Sequence, residues 1–212
     1  EYLITILTKV LGSEYIAKIT EYNSLLKLEH IANPFDSVLN VDLIDDEPTI
    51  KHIHISDKLS SIQVASTAHE YIHALLTKYS TFDYNRVLSN IHYKELLSIL
   101  IEYITIYELS ELLKEDKLRE KHNIIRLHTN KEHSQEHKSC LELSRQLDRL
   151  PSILRNQYKL YVAYENHTSF GYITSDIYAT RLFEFFKDDP KALLQFIKRI
   201  IEGEKSIKEL LR

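Results

Sequence analysis

The chain has 212 residues, enough for one domain with a sizeable core, and its 43% hydrophobic and 27% charged content is that of an ordinary globular protein. A net charge of −4, with both signs mixed along the chain, leaves no basic footprint for nucleic acid or an anionic membrane. Three Gly and four Pro favour long helices over a turn-rich β fold. The single cysteine, Cys140, excludes an internal disulfide and fits a reducing, cytoplasmic setting.

In chain order, Tyr2 to Leu11 and Glu14 to Leu28 read as two helices split at Gly12-Ser13, and Ile31-Ala32-Asn33-Pro34 ends the pair. The first is too short and too polar at Thr8 and Lys9 to span a bilayer, and no secretory signal is expected. Leu39 to Leu43 and Lys51 to Ile55 alternate apolar and polar residues around Asp45-Asp46-Glu47-Pro48, which predicts a β-hairpin or two neighbouring edge strands. Ser60-Ser61 can cap a helix running to Tyr79, followed by a loop over Ser80 to Asn90. A nearly all-apolar helix is expected from Ile91 to Leu113. Glu115 to Arg149 is charged and helical, with a loop near Asn123 to Asn130. Pro151 starts or interrupts a helix reaching Tyr164, Glu165 to Thr168 is a loop, and Gly171 to Phe186 is helical again. Asp189-Pro190 caps the first of two short terminal helices. No repeat or linker divides the chain, so residues 1–212 are expected to form a single, mainly α domain with a small hairpin or edge sheet.

The first helix after the strands carries His69-Glu70-Tyr71-Ile72-His73, a His-Glu-x-x-His motif. Residues four apart stack on one helix face, so the two imidazoles can meet one metal ion, with Glu70 beside them. Val64, Ala65, Ala68, Ile72, Leu75 and Leu76 give the motif an apolar wall. The inverted motif His133-Ser134-Gln135-Glu136-His137 lies in a run that is polar all round, the pattern of a solvated helix face, and is read as a decoy.

A hydrolytic zinc site needs a third protein ligand. The next helix offers one polar stripe, Glu95, Ser98, Glu102 and Thr105, on an otherwise apolar surface. Two carboxylates on a buried helix without Lys or Arg are costly unless paired or metal-bound. Glu95, 22 residues after His73 at the head of the stripe, is the expected ligand, with His92 as its competitor. Glu102 and Ser98 are expected behind the ligands, where a carboxylate orients an imidazole.

Three segments resemble the thimet oligopeptidase and oligoendopeptidase F group of gluzincin metallopeptidases. Ile53-His54-Ile55-Ser56 followed by Ser61 to Glu70 looks like that family's substrate-side strand, short loop and motif helix. Glu95-Leu96-Leu97-Ser98 with Glu102 resembles its glutamate segment, and Phe170 to Ala179 is similar to its Tyr/Gly-rich C-terminal segment. Tyr71-Ile72 departs from the family's usual pair, and the chain is far shorter than a full oligopeptidase. The resemblance implies a zincin-like catalytic domain with one Zn²⁺ on His69, His73 and Glu95, and Glu70 as general base. It also implies an oxyanion donor drawn from His167, Tyr172 and Tyr178, and a peptide substrate laid along His52, Ile53, His54 and Ile55. The expected function is zinc-dependent peptide hydrolysis. The alternative is a zinc- or peptide-binding module on the same fold that has lost catalysis. The sequence carries no signature of oligomeric state.

Overall fold

The structure, a computed structural model, describes residues 2–29, 37–44, 47–56, 60–79, 87–147 and 152–201. These residues form seven α-helices and one three-stranded sheet, so the chain is mainly helical.

Helix α1 (Tyr2–Leu11) buries Ile6, Leu7, Val10 and Leu11 on one face. It stops at Gly12, whose φ of 80° is left-handed backbone that costs glycine no steric strain, and whose N–H returns to Thr8 O at 3.0 Å. Helix α2 (Ser13–Glu21) ends well short of Leu28. A 3₁₀ turn (Tyr22–Leu25) follows, and then strand β1 (Leu26–Glu29). The alternation in Leu26-Lys27-Leu28-Glu29 pairs parallel with Ile53–Ser56, and this long-range ladder overrides the local helical pattern.

Strand β2 (Ser37–Ile44) pairs antiparallel with β3 (Glu47–Ser56), with an irregularity between Asn40 and Val41. The sheet order is β1-β3-β2, so β3 is central. Ile53, His54 and Ile55 are flanked by β1 on one side and β2 on the other, so this part of the strand leaves no free edge for an extended peptide; His52 is paired with β2 alone.

The sheet packs on helix α3 (Ser61–Tyr79), which packs in turn on α4 (Val87–Leu113). Helix α5 (Lys117–Leu147) runs unbroken through Asn123 to Asn130. The polar residues that suggested a loop there include Arg126, which is buried, and Asn130, which bonds to Asp176 on the next helix. Helix α6 (Ser152–Phe186) is likewise continuous across Glu165 to Thr168. Helix α7 (Pro190–Ile201) is capped by Asp189, whose Oδ1 accepts from Ala192 N–H at 3.0 Å. The second terminal helix expected from the sequence lies outside the described residues, as do residues 80–86 of the loop expected after Tyr79; residues 87–90, expected in that loop, are instead the first turn of α4. The core is built mainly from α3 and α4, with α1, α2, α6 and α7 packed around them, and in it Tyr71, Ile72, Leu75, Leu97, Ile99 and Leu100 are fully buried. Among the described residues, no helix is long and apolar enough to cross a membrane.

Candidate metal centre

Helix α3 is fixed at its start by a reciprocal cap. The Ser60 N–H donates to Gln63 Oε1 at 2.9 Å, while Gln63 N–H turns back to Ser60 Oγ at 3.4 Å and Ser60 O at 3.0 Å. Two turns later His69 and His73 stand one above the other, with ring centroids 4.6 Å apart. They face α4, whose polar stripe points inward: Glu95, Ser98, Glu102 and Thr105 are all buried. The stripe therefore is not a solvated face, and its carboxylates need partners inside the protein.

Those partners are the motif histidines. Nε2 of His69 and Nε2 of His73 lie 2.9 Å apart. Glu95 Oε2 is 3.5 Å from the first, and Glu95 Oε1 is 3.3 Å from the second. Two ligands about 2.0–2.1 Å from a tetrahedral metal stand roughly 3.3 Å from each other. The two nitrogens, with one carboxylate oxygen near each, lie close to that spacing, and one atom from each of the three residues lies within 4.8 Å of the others. No other group of three His, Cys, Asp or Glu among the described residues converges in this way. Glu95 Oε2 is moreover a buried carboxylate oxygen whose contact with His69 Nε2, at 3.5 Å, falls short of a well-formed hydrogen bond. Two imidazoles and one carboxylate, with an acceptor left over, fit a divalent cation of the zinc class by donor type.

The local electrostatics agree with the geometry. Burial works against a charge on His69, but hydrogen bonds to Glu102 and Glu95, and the charges of both, outweigh it and push the ring up to about 10. Burial alone would raise Glu95. The charge of His73, hydrogen bonds from both histidines and the charge of His69 hold it well below the usual carboxylate range. A divalent cation bound here would compete with a proton for His69, so metal binding is expected to be pH-dependent.

Behind His69 lies Glu102, with Oε2 at 3.0 Å from His69 Nδ1. Its Oε1 is 2.6 Å from Nε2 of His122, a histidine with 1% side-chain exposure on α5. Arg126 Nη1 is 3.8 Å from Glu102 Oε2. Burial would raise Glu102, but the Arg126 charge and hydrogen bonds from His122 and His69 hold it well below its ordinary value. Neither His122 nor Arg126 stands out in the sequence. The available signal is their spacing of four on a segment that reads as surface until α6 is known to cover it. Ser98 Oγ is buried and makes no hydrogen bond among the described residues, so it does not orient a ligand as expected.

The C-terminal candidates divide. The Tyr172 side chain reaches the site, where its hydroxyl is hydrogen-bonded to Glu95; the charge of Glu95, burial, that bond and the charge of Glu70 raise it well above 10. Its ring stacks on His133 at 4.4 Å between centroids, with planes 4° apart. The decoy motif is therefore not solvated all round: its first histidine braces Tyr172, and Nδ1 of that histidine pairs with Glu136 at 3.0 Å. Tyr178 is 45% exposed and sits about 120° around α6 from Tyr172, so it does not join the site. The side chains of His167, His92 and Ile55 lie outside the described residues. Ile53 is fully buried in the core and cannot meet a substrate, while His52 and His54, on the other face of β3, pack edge to face at 5.8 Å. Glu70 is buried, with 5% exposure, on the motif helix beside the ligands.

No family model, curated protein or solved structure matches this chain.

Proposed function

We propose that the protein is a zinc-dependent peptidase of the gluzincin type, with His69, His73 and Glu95 as the metal ligands. The observation that carries this reading is the convergence of the two Nε2 atoms and the Glu95 carboxylate at 2.9, 3.3 and 3.5 Å. A small sheet packed on the motif helix, with the third ligand on the following helix, is also the arrangement expected of a zincin-like catalytic domain.

Zinc bound there supplies Lewis-acid polarisation of a scissile carbonyl and makes water a better nucleophile near neutral pH. The remaining work falls to the chain's own side chains. Glu70 has no role among the ligands and stands one residue from His69, so its carboxylate takes a proton from the attacking water and returns it to the leaving amine. Tyr172, kept protonated by the two carboxylates facing it, is a hydrogen-bond donor at any pH near neutral. Of Tyr172 and Tyr178, it is the better placed to meet an oxyanion. The substrate is a peptide or an unfolded segment.

The test is Glu70→Gln, which preserves size while removing the base. The variant should bind one zinc and melt like the wild type, yet cleave unstructured peptides about 10²–10⁴-fold more slowly. A zinc-loaded wild type that cleaves nothing across a diverse peptide library would refute the peptidase reading and leave a non-catalytic zinc-binding module.

A further inference from the structure

The buried polar cluster behind the ligands is larger than one orienting carboxylate requires. Four helices contribute to it: His69 from α3, Glu102 and Tyr103 from α4, His122, Arg126 and Asn130 from α5, and Asp176 from α6. Asp176 Oδ1 accepts from Arg126 Nε at 2.9 Å and from the Tyr103 hydroxyl at 3.2 Å, and its Oδ2 accepts from Asn130 Nδ2. Arg126 Nη2 stands 2.8 Å from the same Oδ1, near enough for charge pairing. Side-chain exposure of Arg126 and Asp176 is 9% and 8%, so this is an ion pair taken largely out of water. The Tyr103 ring meets the His122 ring edge to face, with centroids 5.0 Å apart, and fixes its plane.

Such a cluster is expensive, since desolvating each ion costs several kcal/mol and apolar residues of like volume often stabilise a core as well. Its cost is explained by what it holds. A carboxylate at Glu102 offers only acceptor oxygens, so the two rings that touch it are donors: His122 through Nε2–H at 2.6 Å and His69 through Nδ1–H at 3.0 Å. An Nδ1–H on His69 leaves Nε2, the atom facing His73 and Glu95, as the lone pair available to a metal.

Building on the reading of His69 as a metal ligand, we infer that His122 and Arg126 are positioning residues for the metal site: together they fix the Glu102 carboxylate, which in turn fixes the ring orientation and tautomer of His69. His122 holds one oxygen directly. Arg126, anchored on Asp176, sets its positive charge beside the other oxygen and ties α5 and α6 to the site. Neither residue touches the metal or the substrate.

The test is zinc affinity, measured by competition with a chelator. His122→Phe keeps an aromatic ring against Tyr103 but removes the donor, and should weaken zinc binding about 10- to 100-fold. His122→Gln, whose amide can donate to the same oxygen, should recover most of that loss. The pair Arg126→Met with Asp176→Asn removes both charges together, so that no single ion is stranded, and should also weaken binding. Folded His122→Phe and Arg126→Met/Asp176→Asn proteins that bind zinc as tightly as the wild type would overturn the inference. The zinc-loaded wild type supplies a readout that needs no variant. Proton–nitrogen correlation spectra of its histidines should show His69 with a slowly exchanging Nδ1 proton and a metal-bound Nε2. A His69 that carries its proton on Nε2, or binds through Nδ1, also overturns the inference. A wild type that takes up no zinc refutes the metal site itself, and this inference with it.

Discussion

Glu95→Ala removes the only carboxylate among the three converging side chains and leaves two Nε2 atoms 2.9 Å apart, with Glu102 on the far side of His69 as the nearest remaining acid. Zinc that binds the folded chain and not the unfolded one stabilises it by RT ln(1 + [Zn]/Kd), about 4.1 kcal/mol at a thousandfold excess over Kd. In a domain of this size each kcal/mol moves the melting temperature by about 2–4 °C, so saturating zinc should raise that of the wild type by roughly 8–16 °C. In Glu95→Ala the same zinc concentration should raise it by almost nothing, because loss of one of three ligands takes Kd above the metal concentration used. Without metal the variant should still fold: it loses a buried carboxylate but also the histidine charge that faced it. Thermal melts of both proteins, with zinc and with chelator, decide the matter. If Glu95→Ala retained the full zinc-dependent rise, Glu95 would not be a ligand, and the geometric argument from ligand spacing would fail with it.

Three further outcomes are expected. Replacing both His133 and His137 by Ala should leave the metal stoichiometry unchanged, since neither converges with other ligands among the described residues; a metal-free double variant would move the site to α5. Truncating Leu100, fully buried on α4, to Ala should cost about 2–5 kcal/mol in denaturant unfolding, and a cost below 1 kcal/mol would contradict the packing described. Tyr103 is pushed up to about 12 by burial and by the charge of Asp176, so the fold favours its neutral form. That contribution is intact below 10, the ordinary tyrosine value, and is lost as pH rises through about 12. Tyr103→Phe should accordingly lose less stability between pH 8 and pH 11 than the wild type, and equal losses would exclude the assignment.

The sequence made the ligand face legible because helical periodicity is local. Four-residue spacing aligns His69 with His73, and the three-four-three stripe on α4 marks Glu95 and Glu102 as inward-facing without any knowledge of the fold. The legible part ends where long-range contacts decide. Leu26 to Glu29 looks helical until β3 is present to pair with it, and β3 looks like a free edge until β1 and β2 flank it. His122, Arg126 and Asn130 resemble a polar surface run because the acid that neutralises Arg126, Asp176, is 50 residues away in sequence. His133 seemed idle for the same reason, since its partner Tyr172 arrives from α6. Tyr172 and Tyr178 are indistinguishable as residue types; only the turn of α6 separates the one that meets Glu95 from the one that faces solvent.

The central claim is tested most directly by anomalous diffraction at the zinc edge from crystals of the zinc-loaded protein. One strong peak is predicted about 2.0–2.1 Å from Nε2 of His69, Nε2 of His73 and a carboxylate oxygen of Glu95. A peak at His133 and His137, or none in protein that has been saturated with zinc, would contradict the account.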